Sequence, residues 1–139
     1  MTKEEKQLLL ADLCGRLPYG VKVAIEYTKG KYTRTYDLKE IDNDVTYELK
    51  QRVTVWNYGF YSSVVSYPLI ECRPYLRPLL SMTEEERHIF DKMTRGYTVH
   101  QQASLFDWLN AHHFDYRGLI EKGLAIEAPE GMYGKGEKQ

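Results

Sequence analysis

Residues 102–124, QASLFDWLNAHHFDYRGLIEKGL, bring aromatic side chains, two adjacent histidines and two aspartates together in one short stretch. Four side chains recur at helical spacing and predict a helix with one inward face: Leu105, Phe106, Leu109 and His113. Trp108 is predicted to join Leu109 in the folding core. Asp115 then stands where the N-cap of a second, short helix would lie, because its carboxylate can accept from free backbone N–H groups. Gly123 is the expected end of that helix, since glycine readily takes the left-handed C′ conformation.

A helix is also predicted at the start of the chain. Thr2 and Glu5 have the spacing of a capping box, in which each side chain accepts from the backbone N–H of the other residue. Leucines follow at helical spacing until Pro18 ends the helix: Leu9, Leu10, Leu13 and Leu17. A leucine stripe of this kind is usually core, so we expect the helix to pack against the rest of the domain.

Between these helical regions the sequence alternates between apolar and polar residues. The alternating segments are residues 21–28, 32–39, 45–55 and 65–69. Turn-forming residues separate them, including Asp42, Asn43 and Asp44. The pattern predicts an antiparallel meander of about four or five strands. Pro68 favours an edge position for the last strand, because proline has no N–H to give to a neighbouring strand.

A meander of this size has two common arrangements, since it either curls into a small barrel or lies open with helices on one face. We expect the curled, SH3-like arrangement with C-terminal helices packed on it. Capping boxes of Thr83 with Glu86 and of Thr98 with Gln101 predict two such helices. The chain is therefore predicted to be a single α+β domain over residues 1–133, followed by a flexible tail at 134–139.

The segment between the sheet and these helices is residues 73–78, RPYLRP. Its two prolines predict a stiff, extended connector. Arg73 and Arg77 flank Tyr75 within it. These arginines could hold phosphates or a nucleobase, or they could pair with acidic neighbours and fix the connector to the domain.

Composition predicts a cytoplasmic protein that is not a general nucleic-acid binder. The chain carries a net charge of -1, whereas nonspecific binding to phosphate backbones needs a surplus of lysine and arginine. Cys14 and Cys72 show no metal-ligand spacing, which indicates free thiols in a reducing compartment. The polar start of the sequence is unlike a signal peptide, and no apolar stretch approaches membrane-spanning length. We therefore expect no membrane association.

Three strings carry a resemblance to a known family: LLLADLCGRLPYGVKV at 8–23, CRPYLRPLLSMTEEE at 72–86 and DWLNAHHFDYRGLIEKGLAIEAPEGMY at 107–133. They resemble a family of small proteins found in phages and integrated elements of gut bacteria. Residues 24–71 are similar to that family only in general character. The resemblance implies a phage or mobile-element origin and a cytoplasmic setting. It carries over no activity and no functional residue.

An enzymatic function would depend on the corner formed by His112, His113 and Asp115. Histidines that share a metal ion on a helix usually lie three or four residues apart, whereas adjacent side chains point about 100° apart. One histidine is therefore predicted to be a partly buried ring and the other a surface residue at the helix C-terminus. The chain also lacks nucleophile motifs, phosphate-binding glycine loops and zinc-hydrolase strings. We predict no catalytic residue, no metal site and no cofactor, and we rank a metal-dependent enzyme at this corner third.

A binding function would depend on aromatic residues around the turn at 57–59. They are Trp56, Tyr58, Phe60 and Tyr61. Large rigid rings on an exposed loop can anchor a protein or stack on bases, although the same rings could also be core at one end of the sheet. The sequence thus predicts a non-enzymatic interaction or accessory protein that binds a protein partner, whose identity and oligomeric context stay open. A single-stranded nucleic-acid-binding module that uses these rings with Arg73 and Arg77 is the second interpretation.

Overall fold

The computed structural model describes residues 1–27, 32–44, 50–57 and 63–133. Its helices are α1 (Lys3–Arg16), α2 (Glu84–Met93) and α3 (Val99–Ala111). Its strands are β1 (Lys22–Tyr27), β2 (Tyr32–Asp44), β3 (Lys50–Asn57), β4 (Ser63–Pro68), β5 (Cys72–Leu76) and β6 (Ile126–Glu127). The predicted α+β class, with one N-terminal helix and two C-terminal helices, is confirmed.

The sheet is open, so the expected curled, SH3-like small barrel is wrong. The strand order is β4-β3-β2-β1-β5-β6, and every pair is antiparallel except β5 with β6. After β4 a single turn, Leu69–Glu71, leads the chain into β5, which pairs with β1 so that Cys72 lies opposite Ile25. Because β5 occupies this edge of β1, β1 cannot close the sheet against β4. As Pro68 predicted, β4 is an edge strand.

Residues 73–78 are extended, as their prolines indicate, but they form part of the sheet and not only a connector. Most of the segment belongs to β5, where Pro74 lies opposite Val23 of β1. Proline is tolerated at this position because the pairing of β5 with β6 begins only at Tyr75.

Strand β2 is longer than its alternation predicts. Residues 42–44, expected to form a turn, pair instead with residues 50–52 of β3. A register shift between Leu38 and Glu40 interrupts the two-residue period, as a β-bulge does. Residues 45–49, where the third strand was expected to begin, lie outside the described residues.

Reciprocal capping boxes start all three described helices. The pairs are Thr2 with Glu5, Thr83 with Glu86, and Thr98 with Gln101. A helix N-terminus leaves backbone N–H groups without intrahelical acceptors, so each box stabilises its helix by about 0.5–2 kcal/mol. The three predicted start sites are confirmed.

The hydrophobic core lies between one face of the sheet, called the inner face from here on, and a cover made by α1 and residues 119–125. Fully enclosed side chains from both layers include Leu9, Leu13, Val23, Ile25, Val53, Val55, Leu76 and Leu119. Burying one such side chain stabilises the fold by roughly 1.5–3 kcal/mol. The leucine stripe of α1 is therefore core, as its spacing predicted.

Helix α3 departs from the prediction at one residue of its expected inward face. Leu109 is buried as expected, but Phe106 is 47% exposed. Trp108, which was predicted to join the core, is partly buried and contacts the rings of Phe90 and Phe114.

The second helix predicted after Asp115 does not form, because Gly118 adopts a left-handed φ of 73° and interrupts it. The capping chemistry is nevertheless present, since the Asp115 carboxylate accepts from the N–H groups of Leu119 and Ile120 at 2.9 and 3.0 Å. Gly123 ends these turns with a φ of 75°, as its position predicted.

Within the described ranges, no helix combines the length and the apolar character needed to cross a membrane. The single domain over residues 1–133 stays a prediction. The expected tail at 134–139 lies outside the described residues.

Candidate binding surface

The outer face of the sheet, opposite the core, carries the aromatic residue that the sequence singled out. Residues directly opposite in neighbouring strands share a face. Trp56 lies opposite Asp37 on one side and Val64 on the other, and Asp37 lies opposite Lys22. These four residues form one row across β1 to β4, called the Trp56 row from here on. Trp56 is 38% exposed and Val64 is 44% exposed, so the row presents apolar surface to solvent.

A cleft of about 390 Å³ lies beside this row. Its walls include Lys22, Arg34, Thr35 and Trp56. The amine of Lys39 lies 5.3 Å from the centroid of the Trp56 ring, within the range of a cation–π interaction. The cleft thus combines a large ring with charged and hydroxyl groups, which suits a polar partner with one apolar anchor.

Several charged side chains on or beside the outer face have carboxylate partners. The pairs are Lys22–Asp37 at 2.8 Å, Lys39–Glu40 at 3.1 Å and Arg73–Glu26 at 4.0 Å. Each is a surface ion pair of small energetic value. Their effect on recognition is larger, because paired lysines and arginines offer less net positive charge to a phosphate backbone.

Arg77 is held within the fold. Its guanidinium donates to both carboxylate oxygens of Glu86 at 2.9 and 2.7 Å, and it lies 4.2 Å from the centroid of the Phe114 ring. Burial raises the pKa of Glu86, but hydrogen bonds from Arg77 and Thr83 outweigh burial and hold that pKa below its ordinary value. The pairing interpretation of this arginine is therefore supported, whereas Arg73 is exposed on the outer face.

Of the four aromatic residues predicted to form the binding patch, Trp56 has a described environment. Tyr58, Phe60 and Tyr61 lie outside the described residues. The exposure of Trp56 argues against core packing for that ring. The patch as a whole stays a prediction.

At the corner considered for metal binding, His112, His113 and Asp115 contact other groups of the protein. His112 Nδ1 lies 2.9 Å from the carbonyl oxygen of Trp108, and the Asp115 carboxylate accepts from two backbone N–H groups. The ring of His113 is stacked on Tyr133 with centroids 3.6 Å apart. In the part of the chain that the structure describes, no group of three or more His, Cys, Asp or Glu residues could hold a metal ion.

His113 combines a strained backbone with a buried, neutral ring. Its φ is 63°, the left-handed region usually taken by glycine at the C′ position of a helix. The hydrogen bonds fit that position, because His113 N–H donates to Asn110 and Phe114 N–H donates to Leu109. Burial, followed by the nearby charge of Arg16, lowers the pKa of His113 to about 3. Among the described residues its Nδ1 has no hydrogen-bond partner.

Sequence reasoning missed a buried charge cluster formed by Asp12, Arg16 and Arg117. The side chains of Asp12 and Arg16 are 0% exposed, and Arg16 Nε donates to Asp12 Oδ2 at 2.7 Å. Arg16 Nη2 donates to the carbonyl oxygen of Phe114 at 2.6 Å. Arg117 Nε lies 3.2 Å from Asp12 Oδ1, an ion-pair contact without the alignment of a hydrogen bond. The cluster joins α1 to the corner after α3.

The sequence does contain a signal for this cluster. Positions 9, 12, 13 and 16 lie on one face of a helix. An acid and a base within a leucine stripe indicate that the ion pair is carried into the core with the leucines.

No family model matches the chain, and no curated protein and no solved structure matches it.

Proposed function

We propose that this protein is a non-enzymatic interaction or accessory factor that binds a protein partner through the Trp56 row. The observation that carries the proposal is the exposed Trp56 ring beside a cleft of about 390 Å³ on the outer face. Tryptophan is the side chain most enriched among residues that dominate binding energy at interfaces.

The charges around this ring favour a protein over a nucleic acid. Lys22 and Lys39 each lie within 3.1 Å of a carboxylate, so the surface around the row carries both signs of charge. A surface of mixed charge with an apolar anchor resembles the rim and centre of a protein–protein interface. A polyanion would meet the carboxylates as well as the amines.

The setting of this activity is proposed from the sequence. The three strings at 8–23, 72–86 and 107–133 support an origin in a phage or mobile element. We accordingly place the protein in the cytoplasm.

Capture of partners from a lysate of the native host tests this function. Trp56→Ala is the test variant, and Ile70→Ala, which removes a 54% exposed side chain away from the cleft, is the matched control. We expect the wild type and the control to retain the same partner, and Trp56→Ala to retain at least tenfold less, since anchor residues contribute about 2 kcal/mol or more. Equal capture by all three folded proteins would contradict the proposal.

Single-stranded nucleic acid is the second candidate, because Lys22 and Arg34 line the same cleft as Trp56. An exposed ring flanked by basic side chains can stack on a base. A fluorescent oligothymidylate distinguishes this candidate. If it is correct, Trp56→Ala weakens oligonucleotide affinity by about 1–3 kcal/mol, and the affinity falls steeply with salt.

A further inference from the structure

A second cleft lies where the end of α2 meets the start of α3. Its volume is about 620 Å³, against about 390 Å³ for the cleft beside Trp56. The side chains that line it are basic, polar or apolar, and Gly96 completes the lining: Lys92, Met93, Arg95, His100, Gln101 and Ser104. No acidic side chain belongs to this described lining.

The lysine and the arginine of this cleft differ in their ion pairing from Lys22 and Lys39 of the outer face. Lys92 and Arg95 are exposed, and within the described ranges neither forms an ion pair. Two uncompensated positive charges at one concave surface raise the local potential and attract anions. The charge of this cleft is therefore available to a ligand.

Two exposed apolar residues belong to the same stretch of chain as the cleft lining. Tyr97 is 94% exposed and Val99 is 83% exposed, and both lie in the sequence between the lining residues Gly96 and His100. Neighbouring apolar groups that remain this open to solvent mark interaction sites more often than scattered single ones do. The ligand that fits the surface carries negative charge and apolar side chains together.

We propose that this cleft binds a short acidic segment of a protein partner, with carboxylates at Lys92 and Arg95 and an apolar side chain against Tyr97 and Val99. A peptide matches the surface better than a nucleic acid, because two cations can pair with two carboxylates but are few for a phosphate backbone. This site is separate from the Trp56 row and goes beyond the function proposed for that row.

Selection from a displayed library of random dodecapeptides tests the inference without knowledge of the partner. The baits are the wild type, the charge-reversal variant Lys92→Glu/Arg95→Glu, and the control Lys3→Glu/Lys122→Glu. The control changes net charge equally at exposed lysines elsewhere. Matching melting temperatures show that all three baits are folded. We expect the wild type and the control to enrich peptides that combine aspartate or glutamate with aliphatic residues.

The affinity of a synthetic copy of one enriched peptide then gives the decisive comparison. We expect Lys92→Glu/Arg95→Glu to weaken binding at least tenfold, and Trp56→Ala to leave it unchanged, so this result is independent of the outer-face proposal. Failure of the wild type to enrich acidic peptides, or equal enrichment by the charge-reversal variant, would overturn the inference. Tighter binding of oligothymidylate than of the peptide at the same residues would also overturn it.

Discussion

His113 lowers the stability of the folded protein through both its backbone and its ring. A left-handed backbone at a non-glycine residue costs on the order of 1–3 kcal/mol. The ring is also 6% exposed and stacked on Tyr133, and its pKa is lowered to about 3. Burial, followed by the nearby charge of Arg16, holds the ring neutral in the folded protein, whereas the histidine can take up a proton freely in the unfolded chain.

Because the pKa of His113 differs between the folded and the unfolded protein, we expect this side chain to make the stability of the fold sensitive to acid. Between the ordinary pKa of 6.5 and the folded value of about 3, the unfolded state binds a proton that the folded state does not. The free energy of unfolding is therefore not reduced by this histidine above pH 6.5. It falls as the pH is lowered from 6.5 toward 3, and the loss is about 2 kcal/mol at pH 5. Urea unfolding of the wild type from pH 8 to 5 measures the loss.

The variant His113→Asn isolates this contribution, since asparagine tolerates the left-handed region and takes up no proton. We expect its stability to change less between pH 8 and 5 than that of the wild type. His88→Asn, at an exposed position, should behave like the wild type. Parallel curves for the wild type and His113→Asn would show that His113 does not cause the acid sensitivity.

At the scale of elements, the buried charge cluster holds α1 against the corner that follows α3. Asp12 is the carboxylate that faces the two arginines, Arg16 and Arg117. Removing it leaves Arg16 buried with its charge uncompensated. The attachment of α1 therefore depends on one acidic side chain as well as on its leucines.

Asp12→Ala is expected to lower the free energy of unfolding by about 3–5 kcal/mol, the usual cost of breaking a buried ion pair from one side. Glu121→Ala, at an exposed carboxylate, should change it by less than about 0.5 kcal/mol. Chemical denaturation compares the two. If both variants match the wild type, the buried cluster does not hold α1 in place.

The packing of α3 predicts different losses of stability when two of its rings are removed. Trp108 is partly buried among Phe90, His112 and Phe114, while Phe106 is 47% exposed. Trp108→Ala should therefore cost about 2–3 kcal/mol and Phe106→Ala less than about 1 kcal/mol. Thermal melting of both variants measures the two losses. The reverse order of the two losses would contradict the packing described.

Elements set by local chemistry could be predicted, and those set by distant contacts could not. The capping boxes need residues three apart, so all three helix starts were identified from sequence. Strand β5 was missed because Pro74 signals a connector unless the partner strand β1 is known. The exposure of Phe106 was not predicted, because the spacing within α3 does not show which of its rings meets Phe90 and Phe114.

For the whole molecule, no single segment of the sequence determines whether the sheet stays open or closes into a barrel. It depends on Cys72 meeting Ile25, residues far apart in the chain. The alternation that predicted the strands is the same for both arrangements. The candidate site could likewise be predicted only in part. Trp56 was singled out as an aromatic residue beside a predicted turn. The cleft and the paired lysines beside it depend on the sheet register, which the sequence does not show.

Site-specific crosslinking in the native host tests whether the Trp56 row contacts a protein. A photo-crosslinking residue in place of Val64, which lies opposite Trp56 and is 44% exposed, would face any bound partner. We expect one discrete adduct that resists nuclease, disappears with Trp56→Ala, and does not form when the crosslinker replaces Glu121. No adduct, an adduct removed by nuclease, or the same adduct from both positions would contradict the claim.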